Sequence, residues 1–210
     1  MRNKKNRKWI LVIGLAIVMI AGVIQMNHIS KQKTTDPLQP EIAEKILRFH
    51  VLANSDSEED QNVKKQVRDA IGQMMGPKLS HSKNLKETEK IVQQSMDEIV
   101  EVATETLEAN GYDYGASARL ANVEFPVKSY GDYTFPAGEY EALQVTLGAG
   151  QGHTWWCVLY PNMCFQGSVY EVVEDDAKEA LREVLTPEEY ADVFTQGKFE
   201  IRFKFLEYFR

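Results

Sequence analysis

The sequence predicts a single α+β domain with a mostly antiparallel sheet and several helices. Some stretches alternate apolar and polar side chains, which is typical of half-buried strands. Other stretches repeat apolar side chains every three or four residues, which is typical of helices. The sequence contains no internal repeat, and the roughly 170 residues beyond an N-terminal apolar segment suffice for one core.

The N-terminal segment is typical of an exported protein. Five basic residues precede an apolar run over residues 9–24 (WILVIGLAIVMIAGVI), which contains no polar side chain. A membrane-spanning helix needs roughly 20 apolar residues and a signal-peptide core needs fewer, so residues 1–28 fit either a signal peptide or a membrane anchor. Residues 29–41 then form a polar linker, and residues 42–210 form the exported domain.

The charge of the exported part argues against some partners. Subtracting the five basic residues of the N-terminal segment from the 24 Lys and Arg leaves 19, against 31 Asp and Glu. An acidic domain of this kind is not expected to bind nucleic acid or anionic lipid.

The folded part opens with a strand over residues 44–53, which leads through a polar turn into a helix. Asp56 or Ser57 can cap this helix, and the acidic residues 58–60 favour the positive end of its dipole. The helical spacing of apolar residues continues to Gly76-Pro77.

The middle of the chain predicts one long helix over residues 84–110, which Gly111 ends, and a strand over residues 116–126. A turn-rich connection then enters a β-hairpin made of residues 138–147 and 153–160. The loop of this hairpin lacks the Lys-Ser/Thr ending and the strand-to-helix context of a phosphate loop. We therefore expect it to be a flexible hairpin tip.

The C-terminal region predicts two helices and a last strand. An acidic helix covers residues 174–185, and Thr186 caps the next helix with Pro187 at its first position. Residues 198–207 alternate strictly, so that aromatic and aliphatic side chains share one face. These elements complete the α+β pattern.

Three blocks of the sequence carry a resemblance to a known family. They are residues 49–69 (FHVLANSDSEEDQNVKKQVRD), residues 125–165 (FPVKSYGDYTFPAGEYEALQVTLGAGQGHTWWCVLYPNMCF) and the aromatic C-terminal strand. They resemble stage II sporulation protein R of endospore-forming bacteria over nearly the whole exported domain. The resemblance implies a signalling protein that the forespore secretes into the space between the forespore and mother-cell membranes. It also implies that the protein activates a membrane-embedded aspartic protease, which processes the precursor of the mother-cell sigma factor E.

The two cysteines support two different hypotheses. Cys157 and Cys164 are seven positions apart, and we predict a disulfide because export permits one; the alternative is two buried thiols. In a second function class the protein is an exported thiol hydrolase, in which His153 activates Cys157 and Asp132 orients the histidine. The apolar neighbours of Cys157 favour a core position instead, so we predict that the protein is not an enzyme.

No residue is predicted to be catalytic or to bind a metal or a cofactor. The carboxylates at 56 and 58–60 lack the spacing of an EF-hand loop, and two cysteines without a cluster of histidines do not complete a zinc site. We expect His50, on the first strand, to form a hydrogen bond with a neighbouring carboxylate or carbonyl.

A partner-binding surface is predicted on two loops, residues 54–60 and 148–153. Both have more glycine or small polar residues than a simple connection needs, and loops on rigid strands are common recognition sites. The predicted partner is the extracytoplasmic part of the protease that the resemblance implies. The candidate contact residues are Asn54, Ser55, Asp56, Asp60, Gly150, Gly152, His153 and Trp155.

Overall fold

The computed structural model describes residues 36–164 and 175–195. The predicted leader and the predicted C-terminal strand over residues 198–207 lie outside the described residues. No helix within the described ranges is both long and apolar enough to cross a membrane. The predicted linker overlaps the described part at its end, where a short helix, α1 (Gln39–Ala43), buries Gln39 and Ile42. The packed fold therefore starts a few residues before position 42.

The domain is α+β, as predicted, and is built on a four-stranded mixed sheet with the order β2-β5-β1-β6. β1 is central, parallel to β5 and antiparallel to β6, while β2 pairs antiparallel with β5. A separate two-stranded hairpin, β3 with β4, follows β2. The strands are β1 (Leu47–Leu52), β2 (Ala116–Phe125), β3 (Lys128–Tyr130), β4 (Tyr133–Phe135), β5 (Gly138–Leu147) and β6 (Thr154–Tyr160).

The predicted hairpin of residues 138–147 and 153–160 is wrong, because β1 lies between these two strands. Both faces of β1 are buried, since Phe49 packs into the core on one side and Arg48 is enclosed on the other. β1 pairs with β5 along one side and with β6 along the other. The connection from β5 to β6 therefore has to cross the end of β1.

Three helices cover the face of the sheet that carries Phe49: α2 (Glu58–Leu79), α3 (Leu85–Gln94) and α4 (Met96–Ala109). α2 continues through Pro77, two residues beyond the end that Gly76-Pro77 suggested. The single helix predicted over residues 84–110 is interrupted at Ser95, whose backbone leaves helical geometry with φ −99° and ψ 8°. Serine is a weak helix former, and Ser95 ends α3 while it begins α4.

The opposite face of the sheet has its own apolar cluster. α1, the β3–β4 hairpin, α5 (Asp175–Val184) and α6 (Pro187–Thr195) contribute to this cluster. Both predicted C-terminal helices are thus present, and Thr186 caps α6 as predicted, by accepting a hydrogen bond from the N–H of Glu189 at 3.3 Å. The sheet is therefore the middle layer of three.

Candidate functional site

The strand order brings together the two loops that the sequence singles out. β1 and β5 are parallel, so their C-terminal ends lie at the same edge of the sheet. The loop that leaves β5 crosses the end of β1 to reach β6 and meets the residues that follow β1. We call residues 54–60 the polar turn, residues 148–153 the glycine loop, and the pair the two-loop surface.

Hydrogen bonds hold the glycine loop along its whole length. Each of its six backbone N–H groups donates to an oxygen of the protein. The expectation of a flexible tip is therefore wrong, and none of these N–H groups is available to hold a phosphate. The acceptors, in chain order, are Gly115 O (2.9 Å), Asn54 Oδ1 (2.9 Å), Leu147 O (3.0 Å), Asn54 O (3.1 Å), Ala53 O (2.9 Å) and Asp56 Oδ1 (2.5 Å).

Glycine is required in this loop for two different reasons. Gly150 has a φ of +62°, a conformation that residues with a side chain rarely adopt. Gly152 has no such angle, but a Cβ added there would lie 2.0 Å from the backbone oxygen of Ser55. Because backbone cannot move aside as a side chain can, the contact between the two loops depends on Gly152. We infer that both glycines shape the surface.

Asp60 organises the polar turn from within. It is 6% exposed, and its carboxylate accepts hydrogen bonds from Asn54 Nδ2 (2.9 Å), Ser55 Oγ (2.5 Å) and Tyr114 Oη (2.5 Å). Burial by itself would raise the pKa of Asp60, but the three hydrogen bonds outweigh it and lower the pKa below its ordinary value. Asn54, Ser55 and Asp60 therefore bond inward and support the surface.

Of the eight predicted contact residues, Asp56 and His153 are the two whose side chains are exposed. Their side chains are 56% and 80% exposed, respectively. Asp56 Oδ1 accepts the backbone N–H of His153 at 2.5 Å and also contacts its ring Nδ1. The backbone hydrogen bond is the main reason why the pKa of Asp56 lies below its ordinary value. Because the carboxylate binds Nδ1, that nitrogen carries the proton and the neutral ring has its lone pair at Nε2.

Helix α2 supports the glycine loop from the side. Lys64 Nζ donates to the backbone oxygen of His153 at 2.8 Å, and Gln61 Nε2 donates to the backbone oxygen of Ser55 at 2.9 Å. Trp155 follows on β6, half-buried, with its ring centre 5.5 Å from that of Phe49 in an edge-to-face arrangement. The surface is thus continuous from the polar turn to the first turns of α2.

The sequence does not predict the environment of His50. We expected a hydrogen bond, but neither ring nitrogen has a partner among the described residues. The ring instead packs against both Trp156 (5.1 Å between centroids) and Phe125 (5.3 Å), which also contact each other. Burial, followed by the charge of nearby Arg48, lowers the pKa of His50 to about 4. It lies in the core, on the face of the sheet opposite the three helices.

Cys157 and Cys164 form the predicted disulfide, with 5.9 Å between their Cα atoms. Both are 4% exposed, so the bridge lies inside the domain. The bridged sulfur of Cys157 is not a thiolate, and His153 bonds to Asp56 instead. Asp132 lies in the β3–β4 hairpin, which packs on the other face of the sheet from Cys157. The structure thus does not assemble the residues of the thiol hydrolase hypothesis.

Similarity to known proteins identifies the family. The sequence profile of the family described as stage II sporulation protein R matches residues 43–170. The chain belongs to the stage II sporulation protein R family. A relative with that name from Bacillus subtilis (strain 168) is 32% identical over 179 residues, which cover 83% of this chain and 79% of the relative. No solved structure is significantly similar to this chain.

For this member of the stage II sporulation protein R family, the match includes both loops of the two-loop surface. Sequence reasoning missed Tyr114, Gln61 and Lys64, which support the site. Tyr114 lies 54 positions from Asp60, in the connection between α4 and β2, and nothing local predicts their contact. In residues 36–164 and 175–195, no group of three or more His, Cys, Asp and Glu is placed to hold a metal ion.

Proposed function

We propose that this protein is a secreted signal of sporulation that activates a membrane-embedded aspartic protease, which in turn processes the precursor of the mother-cell sigma factor E. Membership of the stage II sporulation protein R family supports a role in sporulation. The basic start and the apolar run over residues 9–24 support export from the forespore to the intermembrane space. A buried disulfide also suits a compartment outside the cytoplasm.

The hydrogen bonding that joins the two loops is the observation that carries this proposal. A surface whose backbone is already fixed by hydrogen bonds loses little conformational entropy when a partner binds. Asp56 and His153 project from it into solvent, where a receptor can reach them. The described residues nearby form no set of nucleophile, base and orienting group, so recognition explains the geometry better than catalysis does.

A complementation experiment tests the proposal. Sporulating cells that lack their own stage II sporulation protein R would produce this chain, and cleavage of the sigma factor precursor would be followed by immunoblotting. We expect the intact chain to restore cleavage, whereas a chain without residues 1–28 folds in the wrong compartment and does not. Normal cleavage with the truncated, cytoplasmic chain would contradict the proposal, and so would an exported, folded chain that restores nothing.

A further inference from the structure

The backbone of the glycine loop can accept hydrogen bonds from a partner but has no free donor to offer. All six of its N–H groups are already bonded within the domain. In contrast, no described residue donates a hydrogen bond to the carbonyl oxygens of residues 148–152. The carbonyl of His153 is occupied, by Lys64 at 2.8 Å and by Gln61 at 3.4 Å. Residues 148, 149 and 151 are exposed, so a partner can reach this part of the loop.

The side chains of Asp56 and His153 add two further acceptors. Asp56 uses its Oδ1 for the backbone N–H and the ring Nδ1 of His153, and its Oδ2 has no hydrogen-bond partner in the part of the chain that the structure describes. Because Nδ1 of the neutral ring holds the proton, Nε2 holds a lone pair. Both Oδ2 and Nε2 therefore accept hydrogen bonds and do not donate. Gln151 differs, since its exposed side-chain amide can do both.

A partner group that meets these acceptors has to supply the donors. A carboxylate or a carbonyl of the partner would leave lone pairs unpaired on both sides of the contact, which is costly once water is excluded. Amides and hydroxyls bring an acceptor along with each donor. The guanidinium of arginine has several N–H donors in one plane and no acceptor, and it forms charge-assisted hydrogen bonds with carboxylates. It is the side chain that fits this set of acceptors best.

We propose that the two-loop surface binds an arginine side chain of the partner protein. The guanidinium donates to Oδ2 of Asp56, and Nε2 of His153 and the carbonyl oxygens of residues 148–152 are the other acceptors within the surface. This inference rests on the proposed function, because it assumes a protein partner that docks on the two-loop surface. It adds the chemical group by which the surface recognises that partner.

The substitution Asp56→Asn tests the proposal, because it keeps the shape of the side chain and inverts the hydrogen-bonding character of one atom. The amide oxygen can still accept the backbone N–H of His153, while an N–H donor replaces Oδ2. The probe is the purified membrane-embedded protease in detergent, titrated with the full chain. We expect Asp56→Asn to weaken binding about tenfold or more. The matched control is Asp97→Asn, at an exposed position on α4, which loses the same charge and should keep the affinity within about twofold.

The substitution His153→Asn separates the proposal from a purely structural role of the contact between His153 and Asp56. The side-chain amide of asparagine can place a donor near the position of Nδ1, so the bond to Asp56 can form, but nothing replaces Nε2. We expect this variant to unfold at the same urea concentration as the wild type and to bind the protease several times more weakly. Wild-type affinity in Asp56→Asn or in His153→Asn, or an equal loss in Asp97→Asn, would overturn the inference and leave the proposed function standing.

Chemical modification of the protease identifies the group that donates. Phenylglyoxal, which modifies arginine, should abolish binding when it is applied to the free protease but not when the chain already covers the site. Acetylation of the lysines of the protease should leave binding intact, and the opposite pattern would overturn the assignment to arginine. If the unmodified protease does not bind the wild-type chain at all, the proposed function fails and this inference fails with it.

Discussion

His153 gives both its backbone N–H and its ring Nδ1 to a single carboxylate oxygen of Asp56. The two residues are 97 positions apart in the chain, and their contact closes the two-loop surface at its exposed end. Because one oxygen receives both groups, the orientation of the imidazole is fixed relative to the backbone of the glycine loop.

Asp56→Ala and His153→Ala should each reduce activation of the protease, while the exported domain stays folded. Both side chains are mostly exposed, so their loss removes no core packing. Since the two residues act through one contact, the double variant should be hardly worse than the worse single variant. Precursor cleavage at equal protein level measures the effect. Normal cleavage in both single variants would place the contact surface elsewhere, with the acidic helix α5 as the next candidate.

Asp60→Ala should destabilise the domain, because it leaves the donors of Asn54, Ser55 and Tyr114 without their common acceptor. Loss of hydrogen bonds to a buried charged group costs about 2–4 kcal/mol in the free energy of unfolding. Urea unfolding measures this, and Asp97→Ala, at an exposed position on α4, is the control with a change below about 0.5 kcal/mol. An equal effect of the two substitutions would contradict the role of Asp60.

The lowered pKa of Asp60 also determines in which direction the stability of the domain changes with pH. A carboxylate with a lower pKa in the folded state than in the unfolded state stabilises the folded state at pH values above its unfolded pKa. This contribution is lost as the pH falls through the folded pKa. Asp60→Asn should therefore show a shallower loss of stability than the wild type in acid below the ordinary pKa of aspartate, as urea unfolding at a series of pH values would reveal.

His50 should make the domain sensitive to milder acid. Its pKa is lowered from 6.5 to about 4, so the unfolded chain binds the proton more readily than the folded one. The contribution of His50 to the free energy of unfolding is complete above pH 6.5. As the pH falls towards 4 this contribution is lost, which lowers the free energy of unfolding by at most about 3 kcal/mol. His50→Phe keeps the ring stack with Trp156 and should flatten the profile in this window. The control Ile71→Val, in the core on the opposite face of the sheet, leaves the surroundings of His50 intact and should lower the unfolding free energy equally at every pH.

The position of β1 could not be predicted from its own sequence pattern. Leu47, Phe49 and Val51 share one apolar face, whereas the other face carries Arg48 and His50, whose polar side chains do not indicate a strand that is buried on both faces. In the structure Arg48 is fully buried, with its guanidinium 4.3 Å from the ring centre of Phe125 and its Nε–H donated to the carbonyl of Cys157 at 3.1 Å. Aromatic faces and a strand carbonyl from distant segments make this burial possible. The local sequence pattern therefore did not indicate that β1 is a central strand, and it predicted a hairpin of residues 138–147 and 153–160 instead.

The candidate site was predictable in its parts but not in its assembly. Composition alone marked both loops as unusual, yet their contact results from the strand order β5-β1-β6. The roles of individual residues depend on that contact as well. Asn54 uses its Oδ1 and its Nδ2 within the fold, for Ala149 N–H and for Asp60, and so supports the surface from inside. Only the three-dimensional arrangement separates such residues from exposed ones like His153.

Removal of the disulfide should weaken the domain without abolishing its signal. Cys157 and Cys164 are seven positions apart, and closing so short a loop stabilises by about 2–3 kcal/mol in the chain-entropy model. The Cys157→Ala/Cys164→Ala variant should unfold at lower urea concentration, and the reduced wild type should match it. At a temperature where this variant remains folded, precursor cleavage should be normal. A folded variant without activity would favour the thiol chemistry of Cys157 instead.

Gly152→Ala should separate the two loops, because the new Cβ would lie 2.0 Å from the backbone oxygen of Ser55. The hydrogen bond from the N–H of Gly152 to Ala53, 2.9 Å in the wild type, should lengthen or break. We expect a loss of about 2 kcal/mol or more in unfolding free energy, since the backbone itself has to shift. The variant with the displaced loop should also lose most of its ability to activate the protease.

Gly115→Ala is the matched control, because a Cβ at Gly115 meets no atom within 4 Å. Amide hydrogen exchange would show the loosened loop directly, with faster exchange at positions 151 and 152 in the Gly152→Ala variant and unchanged rates in the control. Unchanged exchange in both variants, with full activity, would mean that the two loops need not be joined for the protein to signal.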